Sequence, residues 1–265
     1  MKNTMNKSEW IELEALRAVY ESTPDQLKQT LGLKFENIDG VICSASSIEP
    51  SILINRCFVS HQALLKNKSI IKAVKQFYIN AGVGKFFMHV SNTDPETKVI
   101  LEHSGMKKSR GWMKFTRNIS TATIQNSALT IHKISSEHAK DFARIVVPCF
   151  DMDKVSIPLV ANIINHPHWH LFMGFDGDTP AATGAVFYKN GSAYCDWGAT
   201  HIDFRCRGFQ GAVLAHRINS AIKMGASNIY TVTGEDVPGD PQHSYKNIMR
   251  YGFTENYLRE NWVPA

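Results

Sequence analysis

The chain has 265 residues, 43% of them hydrophobic and 20% charged, with 17 Gly and 10 Pro. That balance belongs to a folded globular protein of about two domains, and excludes disordered, collagen-like and low-complexity chains. The net charge of +5 is mild and scattered, without the basic stripe of a nucleic-acid binder.

Read in chain order, apolar spacing predicts helices over residues 9–20 and 26–31, then a strand over 40–45. A helix follows over 69–80, with Ile70, Ile71, Val74, Phe77 and Tyr78 on roughly one face, then a strand over 85–90. A short helix over 95–103 and an aromatic strand over 112–115 complete the first half. Residues 116–126, TRNISTATIQN, carry no apolar period and read as a linker, placed at 118–127. The expected domains are therefore 1–117 and 128–265.

Beyond the linker, residues 128–134 alternate as a strand, and Ser135 or Ser136 caps a helix that Pro148 stops. Pro158 suits the first turn of a helix ending near Ile164. Strands are expected over 171–175, 181–188 and 192–200, the last two joined by the hairpin signal Asn190-Gly191. A helix over 208–224, a strand over 228–233, a helix over 242–250 and a strand near Tyr257 end the chain.

The halves share a layout. A helix runs into Gly82 or Gly225, followed by a strand, a helix, Gly105-Met106 or Gly252-Phe253, and an aromatic strand. This pattern suggests duplication, with chance resemblance between two α/β stretches as the alternative. Five cysteines, an odd number without a CxxC pair, give neither a disulfide framework nor a zinc site and point to a reducing compartment. The polar N-terminus lacks a signal-peptide core, and no run approaches 18 apolar residues. The expectation is a cytoplasmic protein with no membrane contact.

The informative stretch is THIDFRCRGFQGAVLAHRI, residues 200–218. A strand runs through Arg205-Cys206-Arg207-Gly208-Phe209-Gln210-Gly211-Ala212 directly into an amphipathic helix. Such a turn aims backbone N–H groups at one spot beside the positive end of the helix dipole. Glycines at 208 and 211 leave room for close approach, and Arg205 and Arg207 add charge, so the geometry suits a pyrophosphate. It is neither a P-loop nor a dinucleotide fingerprint. A plain glycine turn is the alternative.

The run Arg205, Gly208, Gln210-Gly211-Ala212 and Leu214 resembles the acyl-CoA loop of the GNAT acyltransferase superfamily. One departure is that Gln210 fills the slot usually held by Gly or Ala, with Gly211 one place later. Ser244-Tyr245-Lys246-Asn247, Arg250-Tyr251-Gly252-Phe253 and Tyr257, Arg259, Asn261 and Trp262 are similar to the family's closing helix and strand. The resemblance covers residues 129–265. It implies the GNAT fold: α/β, a mixed and mostly antiparallel sheet flanked by helices, here in two tandem halves. It also implies acetyl transfer from acetyl-CoA to a primary amine of a small molecule, with the cofactor between parted strands ending at Thr200 and Thr233. Ala199, Thr200 and His201 would pair with the pantetheine, residues 207–212 would hold the pyrophosphate, and Ser244 and Asn247 would contact pantetheine or substrate. No metal is implied.

Many family members place a tyrosine four residues before the Gly-Phe glycine; here that position is Ile248. Tyr245, Tyr251 and Tyr257 are near in sequence; Tyr257 is the candidate proton donor for the thiolate, with the other two and water as alternatives. For a base, Glu235 is first, with a solvated turn residue as its alternative; Asp196 and His201 follow. Asp196, between Cys195 and Trp197, is either paired or facing the substrate gap. The missing tyrosine keeps open a non-catalytic acyl-CoA-binding protein.

His166, His168 and His170 share one face of an extended chain and could bind zinc. Pro167 interrupts them, and no Asp, Glu or Cys lies within the cluster, so local packing is expected instead. The first half reads CFVSHQALLKNK at 57–68, where the loop should precede its helix. Without glycine it is expected to hold no cofactor and to cover a sheet edge or wall the acceptor pocket.

Overall fold

The computed structural model describes residues 5–67, 69–91, 95–122, 128–240 and 242–265. Its helices are α1 (Lys7–Glu21), α2 (Asp25–Leu31), α3 (His61–Lys66), α4 (Ile70–Asn80), α5 (Pro95–His103), α6 (Ala139–Cys149), α7 (Ile157–Asn162), α8 (Phe209–Lys223) and α9 (His243–Arg250). The strands are β1 (Leu33–Ile38), β2 (Val41–Ser46), β3 (Arg56–Ser60), β4 (Phe87–Ser91), β5 (Met106–Arg117) and β6 (Leu129–Lys133). They continue as β7 (Trp169–Asp176), β8 (Thr179–Lys189), β9 (Ser192–Thr200), β10 (Asn228–Gly234) and β11 (Thr254–Pro264). Among the described residues no helix is long and apolar enough to cross a membrane.

Two compact units result, one of Met1–Thr23 with Lys114–Tyr257 and one of Pro24–Met113 with Leu258–Ala265. These are not the stretches 1–117 and 128–265 drawn from the polar seam, whose residues 123–127 lie outside the described residues. The physical reason is pairing at both ends of the chain. In the larger unit α1 carries Glu12, fully buried, onto the ammonium of Lys114, which also donates to the Ser8 carbonyl at 3.0 Å. In the smaller unit Glu260, Asn261 and Trp262 of β11 lie opposite Val90, His89 and Met88 of β4.

In the smaller unit β1, β2 and β3 are successively antiparallel, and β3 runs parallel to β4. The core holds Val41, Val74, Tyr78, Phe86 and Trp262, with Tyr78 stacked on Phe86 at 3.8 Å. The parallel pair stays in register from Arg56/Phe87 to Ser60/Ser91. Ser60 ends β3 and caps α3, its hydroxyl accepting the Ala63 N–H at 3.1 Å.

In the larger unit β6, β7, β8 and β9 are successively antiparallel, and β10 runs parallel to β9. α8 makes the crossover between them and packs on β8 and β9. Pro148, expected to stop α6, sits inside its last turn. Proline has no N–H for the carbonyl four residues earlier, but the turn closes past it, the Phe150 N–H reaching the Val146 carbonyl at 3.1 Å, and the helix ends one residue after Pro148.

Candidate functional site

The site begins where two strands part. β9 and β10 pair at Ser192/Asn228, Ala193/Ile229 and Tyr194/Tyr230, and no ladder pair follows. The Thr231 hydroxyl, donating to the Cys195 carbonyl at 2.8 Å, is the last tie before the gap. On its other side β9 slips register with β8 between Thr183 and Ala185. Trp197 there adopts φ +53°, a left-handed conformation rare for a bulky side chain. The result is a bulge, which releases a peptide group from the ladder and re-aims its neighbours.

A cleft of about 100 Å³ opens in this gap. β9 contributes Asp196, Trp197 and Gly198; α8 contributes Gln210, Leu214 and Arg217; α9 contributes Ser244, Asn247 and Ile248. Gln210 donates to the Ser244 hydroxyl at 3.4 Å, linking the two helices. Asp196 accepts the Trp197 N–H at 2.8 Å through its carboxylate. A larger, shallower hollow of about 830 Å³ lies against β6, lined by His132, His138 and Phe175, and shares no lining residue with the cleft.

From Thr200 the chain makes one short turn over Ile202–Phe204 and enters α8. His201 caps that turn, its Nδ1 accepting the Asp203 N–H at 3.4 Å. Cys206 and Gly208 both lie at positive φ, +64° and +76°, on either side of Arg207. Gly208 is the N-cap of α8, and no side chain caps the helix. Glycine has no side chain to accept a first-turn N–H of this four-turn helix, and a helix start of that kind favours an anion through its N–H groups and dipole. The contrast with α3, closed by its own serine, is direct.

The two glycines do different jobs. A Cβ on Gly208 would meet nothing within 4 Å, so that position needs glycine for its backbone angle alone. A Cβ on Gly211 would meet the Tyr251 ring and hydroxyl, so that position needs glycine for packing. The arginines are engaged locally. Arg207 pairs with Asp176 at 2.8 Å and stacks over Phe209 at 4.7 Å. Arg205 donates to the Thr200 carbonyl at 3.4 Å and reaches the Cys149 sulfur at 3.6 Å.

The cleft therefore brings together Asp196, Gln210, Ser244 and Asn247. Ala199 and Thr200 continue β9 beyond its lining, opposite Thr183 and Ala182. Glu235 follows β10 and does not line the cleft; with Asp236 it adds negative charge near Tyr245. Burial and a hydrogen bond to Glu255 push the Tyr245 phenol well above its usual range. Tyr257 faces α1, donating to Glu9 at 2.6 Å with Ser8 Oγ at 3.3 Å. Tyr251, raised by burial, packs on α8. Arg217 and the Trp197 bulge escaped the sequence reading. The signal was there: Gly184 and Gly198 each interrupt a strand, which marks a close approach.

The histidine run is a packed corner. His166 Nε2 lies 3.2 Å from Glu21, and its Nδ1 accepts the His168 N–H at 3.3 Å. Burial lowers the pKa of His166 and His170. Among the described residues no group of three His, Cys, Asp or Glu side chains is arranged to hold a metal.

No protein-family model matches the chain, and no curated protein matches it. Solved structures do. A GCN5-related N-acetyltransferase from Kribbella flavida superposes with a TM-score of 0.67 at 13% identity, over 98% of this chain and 96% of that one. A GCN5-related N-acetyltransferase from Sphaerobacter thermophilus gives 0.61 at 9%, over 84% and 79%. A tandem GNAT protein from the clavulanic acid biosynthesis pathway gives 0.58 at 10%, over 98% and 95%. Identities this low speak to fold alone, and the fold of this chain is that of the GNAT N-acetyltransferases.

Proposed function

We propose that the chain is an N-acetyltransferase, moving an acetyl group from acetyl-CoA to a primary amine of a small molecule. The observation that carries this reading is the gap between β9 and β10 in line with the uncapped N-terminus of α8. The N–H groups of residues 207–212 would hold the pyrophosphate. Backbone of Ala199, Thr200 and His201 would pair with the pantetheine arm, and Ser244 and Asn247 would contact it from α9. The fit rests on this chain's own features: a helix start without a side-chain cap and an open approach at Gly208.

The amine nitrogen attacks the thioester carbon directly; the C–N bond forms, the C–S bond breaks, and the thiolate takes up a proton. Asp196, the carboxylate lining the cleft, is the first choice to accept the amine proton, with Glu235 behind it. The bulge at Trp197 and Gly198 would polarise the carbonyl, and the cleft walls hold the reactants in register. Unit two is assigned no cofactor, because β3 and β4 stay paired to their ends and Ser60 caps α3. The five cysteines are free, Cys43 and Cys57 facing each other across β2 and β3, which supports a cytoplasmic setting.

Two observations favour a second reading, a non-catalytic acyl-CoA-binding protein. Ile248 lines the cleft, and the Tyr257 hydroxyl is donated to Glu9. Water or Ser244 would then have to protonate the thiolate. A screen of primary amines with acetyl-CoA, read by free thiol released, tests both. Turnover on any amine supports the transferase, binding of CoA without turnover on any amine favours the sensor, and absence of CoA binding ends both.

A further inference from the structure

Arg217 lies in the interior of the larger unit, 6% exposed. Among the described residues its one hydrogen bond runs from Nη1 to the Asp196 carbonyl at 2.9 Å, and its buried Nε has no partner. Burying a guanidinium with a donor left over opposes folding, so this residue is not explained by stability. Two strands make room for it. A Cβ on Gly184 of β8 would lie 2.7 Å from Arg217 Cδ and Nε, and one on Gly198 of β9 would lie 2.8 Å from Nη2.

The slot is placed at a particular point of the site. Gly184 sits opposite the register slip, and Gly198 follows Trp197 in the bulge. The carbonyl that Arg217 holds belongs to Asp196, the residue that opens the bulge. Asp196, Trp197, Gly198 and Arg217 all line the cleft. Burial lowers the guanidinium's pKa, while Asp196 and Cys195 oppose that shift; an arginine keeps its charge in such a setting.

Building on the acetyltransferase reading, we propose that Arg217 is a positioning residue. It clamps the Asp196 carbonyl from the Gly184–Gly198 slot and so fixes the bulge that polarises the acyl carbonyl. A bulge left to relax would present its peptide groups in several directions, and preorganised dipoles lose their effect when they must reorient.

The test compares CoA with acetyl-CoA carrying a ¹³C carbonyl, using calorimetry and isotope-edited infrared spectra of the bound carbonyl. Wild type is expected to bind both and to shift the carbonyl band to lower wavenumber. Arg217→Met and Gly184→Ala should keep CoA affinity within about twofold. Both should lose the band shift and about tenfold of any preference for acetyl-CoA over CoA. Arg217→Lys, which keeps the charge, guards against a folding failure and should restore part of the shift. An unaltered band in Arg217→Met or Gly184→Ala, folded by circular dichroism, overturns the proposal while leaving the transferase reading intact. Wild type that binds no CoA overturns the transferase reading itself, and this proposal with it.

Discussion

The Tyr251 hydroxyl occupies the place where a side chain on residue 211 would begin, 2.6 Å from an ideal Cβ on Gly211. The ring follows at 2.9 and 3.1 Å. Tyr251 is buried and closes α9 onto α8, so neither partner has room to give. Gly211→Ala should therefore destabilise the larger unit by about 1–3 kcal/mol, the usual range for overpacking. Gly211→Ala with Tyr251→Leu should recover part of that loss. Urea unfolding of the single and double variants checks it; a single variant as stable as wild type would mean that Tyr251 moves freely.

Gly208 carries the opposite expectation. With nothing near its Cβ and φ at +76°, the cost of substitution is backbone strain alone. Gly208→Val should cost about 1–2 kcal/mol of stability and reduce CoA affinity further, by disturbing the N–H groups of the first turn. Gly208→Asn, a residue tolerant of this conformation, should lose little of either. Calorimetry with CoA measures the difference. Equal losses in the two variants would place the effect in side-chain bulk instead.

How far the sequence could be read is clearest at this turn. Glycine punctuation, the hairpin Asn190-Gly191 and the helix after Gly208 put β9 at Ser192–Thr200, as predicted, and α8 within one residue of its bounds. β1 was missed although Leu33 and Phe35 alternate with Lys34 and Glu36, because the strand is short, partly exposed and follows directly on a helix. The Asp39-Gly40 turn, both residues at positive φ, was its overlooked signal. The unit boundaries were illegible for another reason. Glu9 and Glu12 lie on a helix whose spacing names no partner for them, yet both are buried against groups far along the chain, Tyr257 and Lys114. Local patterning cannot reveal a partner a hundred residues away.

That buried pair makes its own prediction. Lys114→Met or Glu12→Gln leaves one polar or charged partner in a dry interior and should cost about 3–5 kcal/mol. Lys114→Met with Glu12→Leu removes both charges and should recover most of the loss. Thermal unfolding of the three variants decides it; a double variant no better than either single one would contradict the pairing.

Acid sensitivity follows from three histidines whose pKa values burial lowers, His166, His170 and His216. A histidine with a depressed folded pKa binds fewer protons folded than unfolded at pH values between its two pKa values, so stability rises with pH there. Its contribution is full above the unfolded value of about 6.5 and is lost as pH falls from there toward the depressed folded value. Urea midpoints should therefore decline on acidification below about pH 6.5. His216→Gln, which removes a ring that meets Phe172 edge-to-face at 5.0 Å, should flatten the decline. An unchanged slope in that variant would remove His216 from the account.

Hydrogen–deuterium exchange with and without CoA reads the backbone amides at the start of α8 one by one. Exchange should slow at residues 207–212 on adding CoA, with a lesser effect along Ala199–His201 and none in α3. Binding that leaves residues 207–212 unprotected, or protects the β3–α3 junction instead, would contradict a CoA site at the start of α8.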